Sequence, residues 1–277
     1  MKAAIALFMA IGAVLLTGCQ AGRDQGASDM TRQIAEDLET LAAARVFFGH
    51  QSVGENIITG LRELTQQVQR PELPIIDLEA YGPDTGKGCL VHTPVGENQK
   101  PLSKCLDFER IIDQELSGKI DYALLKFCYI DINRDSNVEK LFSDYQRTMD
   151  GLIQRHPDIT FIHTTVPLRH SPGGLGVWIR EMLGRPNNSK LDNRQRNEFN
   201  RLLLAAYGEA PLVDIARSQS TYADGRRASF SMEGHEYYSL IGDYTSDGGH
   251  LNELGRRQVA QMFAQDLARI IRARSAE

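Results

Sequence analysis

The sequence contains only four cysteines, one tryptophan and no cluster of lysines or arginines. It has no CxxC pair, and no spacing of cysteine with histidine is typical of a zinc site. The formal net charge is −5, which together with the missing basic cluster argues against a nucleic-acid partner. No run after Cys19 approaches the roughly 20 apolar residues of a membrane-spanning helix, so we expect the remaining chain to be water-soluble.

The amino terminus carries one long apolar run. Lys2 precedes the uninterrupted apolar residues 3–16, which are too few to span a bilayer comfortably, so residues 1–18 are predicted to be an export signal. The ending "LTGC" resembles the bacterial lipobox, which implies cleavage before Cys19 and attachment of lipid to its thiol. A signal-peptidase site with an incidental cysteine is the alternative.

The residues after Cys19 predict a tethered protein of the cell envelope. Gln20 stands where an aspartate would favour retention in the inner membrane, so we expect an outer-membrane anchor with the protein facing the periplasm. Residues 19–32 are small and polar, which suits a flexible tether. Residues 33–277 are long enough for one α/β domain.

Three cysteines remain after the predicted anchor. Cys89 and Cys105 flank a loop rich in proline, glycine and lysine, and an oxidising envelope would allow them to pair. Connectivity cannot be read from three cysteines, so a disulfide and free thiols both stay open. Cys128 lies inside an apolar run and is predicted to be a small core residue.

Short apolar runs alternate with amphipathic stretches along the chain. This rhythm is typical of strands joined by crossover helices, and it predicts a three-layer α/β/α sandwich with a mainly parallel sheet. Residues 168–190 are rich in glycine and proline and are expected to form an irregular excursion that could act as a lid. The predicted strands lie within residues 45–49, 74–80, 121–130, 159–167 and 210–216.

The stretch "RVFFGHQSVGENI", residues 45–57, ends an apolar strand on polar groups. Ligands of parallel sheets bind outside the carboxyl ends of the strands, and Ser52 is predicted to start the helix that follows there. Free N–H groups at a helix start favour a developing oxyanion, so Ser52 is a candidate nucleophile. An ordinary helix N-cap is the alternative role for this serine.

A serine nucleophile needs a base, and the base needs a partner that orients it. The stretch "YTSDGGHLNELG" places Asp247 three residues before His250, with two glycines between them. The glycines allow a tight curl in which the carboxylate reaches one ring nitrogen. An ordinary surface histidine and a turn-capping aspartate are the alternative.

These residues resemble the SGNH or GDSL hydrolases. Asp247 and His250, followed by Gly255, are similar to the closing motif of that family, and Ser52 matches the position of its nucleophile. The resemblance covers most of the chain after the tether. It implies a flavodoxin-like α/β/α fold and a triad of Ser52, His250 and Asp247.

The sequence departs from the family in its first and third blocks. It has Gly-His-Gln-Ser where the family has Gly-Asp-Ser, and Gly82 is the candidate for the oxyanion glycine of the second block. The third block, Gly-x-Asn-Asp, aligns with residues 128–131 and puts Ile130, which cannot donate a hydrogen bond, at the oxyanion asparagine. Its replacement could be Asn133, Gln51 or Lys126.

His50, the histidine of the nucleophile block, allows two further interpretations. His50 could support the site or contact substrate, but a triad needs only one base, so we favour support. A metallohydrolase using His50, His163 and His250 is conceivable, although no ligand spacing favours it.

The prediction is therefore a lipid-anchored serine esterase of the bacterial envelope that needs no cofactor. Its substrate would be an O-acyl ester of a saccharide or a small lipid ester. A non-catalytic binding lipoprotein on the same scaffold is the alternative, and Ile130 is the residue that favours it.

Overall fold

The computed structural model describes residues 29–68, 72–83, 85, 88–183 and 187–276. The predicted signal 1–18, Cys19 and the tether up to residue 28 lie outside the described residues. Residues 29–42 form helix α1, so the last four residues assigned to the tether are helical. Within the described ranges, no helix is both long enough and apolar enough to cross a membrane.

Eight strands and seven further helices follow α1 in the described chain. The strands are β1 Arg45–His50, β2 Ile75–Asp77, β3 Cys89–Pro94, β4 Tyr122–Leu125, β5 Thr160–Thr164, β6 Leu212–Val213, β7 Ser229–Met232 and β8 His235–Tyr238. The helices are α2 Ser52–Val68, α3 Pro101–Ile111, α4 Val138–Arg155, α5 Leu175–Met182, α6 Asn188–Tyr207, α7 Ile215–Ser220 and α8 Glu253–Ser275.

Six strands form one parallel sheet in the order β2-β3-β1-β4-β5-β6. The chain leaves β1 towards β2 and β3 on one side and then crosses to β4 on the other. Strand β1 is thus the topological switch point, and a crevice for ligands is expected at its carboxyl end. Ser52 begins α2 two residues after β1 ends.

The sheet is covered on both faces, which confirms the predicted three-layer α/β/α sandwich. Alternate residues of β1 point to opposite layers. Val46 and Phe48 pack in the cluster that includes α1, α2 and α8. Phe47 packs in the other cluster with α3, α4 and α6.

Three segments differ from their predicted conformation. The predicted loop between Cys89 and Cys105 contains strand β3 and the start of helix α3. The excursion 168–190 contains helix α5, whose Leu175, Ile179 and Met182 are exposed at helical spacing. The stretch between α7 and α8, for which no strand was predicted, contains the antiparallel hairpin β7–β8. These last two segments lie outside the main sheet, where the alternation of apolar runs carries no signal.

The possible pairing of Cys89 with Cys105 is wrong for this structure, because both thiols are free and buried. Cys89 starts β3 at the amino edge of the sheet. The backbone of Lys104, next to Cys105, lies against Gly96, beyond the carboxyl end of the same strand. A six-residue strand spans about 20 Å, whereas a disulfide needs Cα atoms within about 7 Å.

Buried histidines make the fold sensitive to acid. Burial lowers the pKa of His50 to about 3 and that of His163 to about 4, whereas an unfolded histidine titrates near 6.5. The unfolded state therefore binds more protons below that pH, and stability falls as the pH is lowered. We expect the free energy of unfolding to be greatest above about pH 6.5. Towards about pH 4 each histidine should contribute a loss of about 1.4 kcal/mol per pH unit.

Urea unfolding at several pH values measures this slope. His163→Phe should reduce the slope by the equivalent of about one proton, which is about 1.4 kcal/mol per pH unit. His235→Gln, at an exposed histidine, should leave the slope unaltered. An unchanged slope in His163→Phe would contradict the interpretation.

Candidate active site

Ser52, His250 and Asp247 meet at the carboxyl end of β1. The Oγ of Ser52 is 3.0 Å from Nε2 of His250. The Nδ1 of the same ring is 2.6 Å from Oδ2 of Asp247. One hydroxyl, one imidazole and one carboxylate thus form a continuous row of hydrogen-bonding contacts, as a nucleophile with an oriented base requires.

The turn before α8 is shaped by the aspartate itself. Oδ1 of Asp247 accepts hydrogen bonds from the backbone N–H groups of Gly249 and His250, both at 2.8 Å. Gly248 adopts φ of +83°, a conformation that side chains with a Cβ rarely adopt. The carboxylate therefore caps the turn and orients the ring with its other oxygen.

The turn is also attached to the helix that carries the serine. Oδ1 of Asn56 accepts a hydrogen bond from the N–H of Leu251 at 3.0 Å. Asn56 lies one helical turn beyond Ser52 in α2, so this contact sets the height of His250 relative to the hydroxyl.

The triad is open to solvent. The side chains of His250 and Asp247 are 44% and 55% exposed. Hydrogen bonds from the His250 ring and from two backbone amides nevertheless hold the pKa of Asp247 well below its ordinary value. The carboxylate is thus ionised over the neutral pH range and accepts the proton of Nδ1.

Tyr129 is a site residue that the sequence analysis missed. Its hydroxyl is 3.4 Å from Nε2 of His250, and its ring meets the imidazole edge to face at 5.7 Å between centroids. A Cβ on Gly249 would lie 2.7 Å from this ring, so the glycine makes room for it. Burial raises the pKa of the phenol, which keeps it a neutral donor. The only sequence signal was its place beside Ile130 in the third block.

The structure places the other oxyanion candidates away from such a role. Ile130 is 38% exposed and has no polar side-chain atom. Asn133 caps its own turn by accepting from the N–H of Asp135. The ammonium of Lys126 is fully buried and contacts the carbonyl of Phe127 and the thiol of Cys128.

Gln51 and His50 serve the turn that carries Ser52. The side-chain amide of Gln51 donates to the carbonyls of Val95 and Gly96, both at 2.9 Å, so both of its hydrogens are engaged. His50 is completely buried, and its Nδ1 is 3.0 Å from the carbonyl of Gln51.

Gly82 is not an oxyanion residue, contrary to the prediction. It lines a cavity of about 640 Å³ together with Arg45 and Lys119. Arg45 begins β1, so this cavity lies at the amino edge of the sheet, about 20 Å from Ser52. The loop after β2 returns along the sheet: the hydroxyl of Tyr81 donates to the carbonyl of Lys119 just before β4.

A buried ion pair orders the segment that carries Tyr129. Nζ of Lys104 is 2.6 Å from Oδ2 of Asp131, and both side chains are 0% exposed. The carboxylate also accepts from the N–H groups of Cys128 and Gln99. Asp131, the last residue of the third block, thereby fixes the backbone on both sides of the crevice.

The histidines of the alternative metal site, which the sequence did not favour, do not converge. His163 contacts the hydroxyl of Tyr145 on the α4 side of the sheet. His50 lies on the opposite face with α2. In the described part of the chain, His50, Glu55 and His92 do bring ligand-type atoms within 4.8 Å of one another.

Comparison with known proteins found similarity only among solved structures. No family model matches the sequence, and no curated protein matches it. An acetyl xylan esterase, AlAXEase, is 17% identical with a TM-score of 0.45, and the alignment covers 79% of this chain and 96% of that one.

Two further structures are similar to the same degree. One is described as a lipolytic protein of the G-D-S-L family from Desulfitobacterium hafniense DCB-2, with 12% identity, a TM-score of 0.45 and coverage of 80% and 99%. A carbohydrate esterase of family 3 from Talaromyces cellulolyticus has 12% identity, a TM-score of 0.45 and coverage of 83% and 99%. Because every TM-score is below 0.5, the function is inferred from the site.

The ion pair beneath the site yields a stability prediction. Lys104→Met leaves the carboxylate of Asp131 buried without its cation, so we expect a loss of about 3–5 kcal/mol in the free energy of unfolding. Urea denaturation measures it. Lys140→Met, which breaks an exposed pair with Asp144, is the matched control and should change stability little. Equal losses in the two variants would refute the special role of the buried pair.

Proposed function

We propose that the protein is a serine esterase that removes an O-acyl group from a saccharide or a small lipid ester. One observation carries the proposal: Nε2 of His250 lies 3.0 Å from Oγ of Ser52 while Nδ1 lies 2.6 Å from Asp247. The three groups belong to segments almost two hundred residues apart and meet at the switch point of the sheet.

The reaction would follow from these contacts. Ser52 Oγ attacks the ester carbonyl carbon as Nε2 of His250 takes its proton, and Asp247 stabilises the imidazolium that forms. The tetrahedral intermediate collapses when Nε2 returns that proton to the leaving alcohol. Water, activated by the same nitrogen, then hydrolyses the acyl-serine.

Two donors are available for the oxyanion. The N–H of Ser52 stands at the first position of α2, where no intrahelical acceptor exists and the helix dipole favours negative charge. Tyr129 is the second donor: its contact with Nε2 is long at 3.4 Å, so its proton is available to a substrate oxygen. It would take the place of the asparagine that Ile130 lacks.

The exposure of the triad supports a bulky polar substrate. A saccharide carrying a small acyl group can reach an open carboxylate–imidazole pair, whereas a deep acyl tunnel would bury it. The same proposal retains the lipid anchor at Cys19 and an outer-membrane location facing the periplasm, as the sequence predicts. A binding lipoprotein without catalysis remains the competing function.

A fluorophosphonate probe separates the enzyme from the binding protein. The probe phosphonylates an activated serine, so we expect the wild type to be labelled and Ser52→Ala to be unlabelled. Ser218, a buried serine of α7, is the control, and Ser218→Ala should be labelled like the wild type. Absence of labelling in the wild type at any pH would favour the binding protein.

Tyr129→Phe tests the second oxyanion donor. Because one donor is lost, kcat should fall by about 10²-fold or more while KM changes little. The decrease should be equal for phenyl and alkyl esters of the same acid. A decrease confined to alkyl esters, whose leaving groups need a proton, would assign the phenol to the leaving oxygen instead.

A further inference from the structure

A row of three side chains ends at the peptide bond that precedes the candidate nucleophile. Nη2 of Arg62 is 3.1 Å from Nε2 of His92. Nδ1 of His92 is 3.1 Å from Nε2 of His50. Nδ1 of His50 is in turn 3.0 Å from the carbonyl oxygen of Gln51, the residue before Ser52.

The chemistry of the two ends fixes the direction of every hydrogen bond. A guanidinium can only donate, so Nε2 of His92 is an acceptor and its proton is on Nδ1. That proton is donated to Nε2 of His50, which leaves the proton of His50 on Nδ1. The carbonyl of Gln51 can only accept. All three bonds therefore point from Arg62 towards the Gln51–Ser52 peptide.

Burial keeps both rings in the neutral form that this row requires. His50 and His92 are 0% and 2% exposed, and desolvation lowers the pKa of each. Besides Arg62 and Lys126, the charged groups facing the rings are Glu55 and Asp77. Oδ1 of Asp77 is 3.6 Å from Nε2 of His92, farther than the guanidinium, so the shorter contact sets the tautomer.

The geometry favours a direct hydrogen bond over a shared metal ion. The ring centroids of His50 and His92 are 5.3 Å apart while the facing nitrogens are 3.1 Å apart, so both nitrogens lie almost on the line between the ring centres. Lone pairs that bind one tetrahedral ion converge at an angle instead. Arg62 also adds positive charge beside Glu55, the third group of that cluster.

The fold reserves space for this row. A Cβ on Gly54 would lie 2.3 Å from Cβ and 2.8 Å from Nδ1 of His50, so α2 can approach the buried imidazole only with glycine there. The carbonyl of Gln51 also accepts from the N–H of Glu55 at 3.1 Å, the first hydrogen bond of the helix. Two donors thus converge on one oxygen.

We propose that Arg62, His92 and His50 are positioning residues that polarise the Gln51–Ser52 peptide and so strengthen the N–H of Ser52 as the oxyanion donor. Carbonyl and N–H belong to one resonant unit, and donation to the oxygen draws electron density from the nitrogen. The guanidinium at the far end reinforces each bond of the chain in the same direction. This inference rests on the proposed function of Ser52.

Two substitutions at position 92 separate hydrogen bonding from packing. His92→Phe keeps a ring but removes the donor to His50, whereas His92→Asn retains an N–H close to the place of Nδ1. We expect kcat of His92→Phe to fall about 10-fold, less than the 10²-fold typical of losing a whole oxyanion donor, with KM for a small ester nearly unchanged. His92→Asn should recover most of that loss. In an NMR spectrum, the amide proton of Ser52 should move upfield in His92→Phe and return in His92→Asn.

His163→Phe is the matched control. It removes another buried histidine, which contacts Tyr145 on the opposite face of the sheet. This variant should lose thermal stability comparable to His92→Phe and keep wild-type kcat. If the two variants lose kcat equally, or if His92→Phe turns over like the wild type, the positioning role is overturned.

Two further outcomes separate this inference from the proposed function. If fluorophosphonate labels the wild type but His92→Phe and His92→Asn have the same kcat, the protein is still an esterase and the row of side chains does not affect its activity. If the wild type is not labelled, the esterase fails, while the Ser52 amide shift still reports whether the hydrogen-bonded row exists. Stoichiometric binding of Zn²⁺ by the wild type that is lost in His92→Phe would contradict the direct hydrogen bond.

Discussion

The close contact of α2 with α8 is the constraint on which the site depends. A Cβ on Gly60 would lie 2.6 Å from that of Ala260, so the two helices approach each other more closely than larger residues permit. Glu63 and Arg256 pair across the same interface. Ser52 begins the first helix and His250 lies three residues before the second. The packing that buries these apolar faces therefore also brings hydroxyl and imidazole together. The geometry of the candidate triad is a consequence of core packing rather than an addition to it.

The unusual residues of the nucleophile turn acquire a physical role from their contacts. In Gly-His-Gln-Ser, the side-chain amide of Gln51 donates hydrogen bonds to the loop after β3. The buried ring of His50 contacts the backbone carbonyl of the same Gln51. The turn is therefore fixed through both the side chain and the backbone of one residue. A strand that ends on polar groups would otherwise leave them buried without partners, which is costly.

The fold could be predicted from the local pattern of apolar residues. The prediction failed where a loop carries the chain back across the sheet, because the path of such a loop leaves no local pattern. Alternating apolar runs located five of the six strands of the sheet, but β3 lies at the start of the stretch between Cys89 and Cys105 that was predicted as a loop. The end of β1 located Ser52, whereas His250 was assigned from its spacing to Asp247 and from the resemblance to the closing motif. Gly82 was chosen by resemblance to the family's second block, and the pairing of Cys89 with Cys105 was left open, because the loops near them change edge without any periodic signal. Tyr129 was missed since an alignment by motif assigns no role to its unspecified second position.

The two halves of the site are stabilised by different physics. Asp247 is exposed, and its orientation comes from hydrogen bonds within its own turn. These bonds are strong because the carboxylate that accepts them from backbone N–H groups is charged. Ser52 instead lies above a buried row of neutral rings that desolvation keeps uncharged. The candidate base is therefore open to solvent, whereas the peptide before the candidate nucleophile is held by a buried side chain. Under the proposed function, a solvent-exposed base next to a preorganised oxyanion donor would suit a substrate whose alcohol part is large and polar, because only the acyl carbonyl would have to be desolvated against the protein.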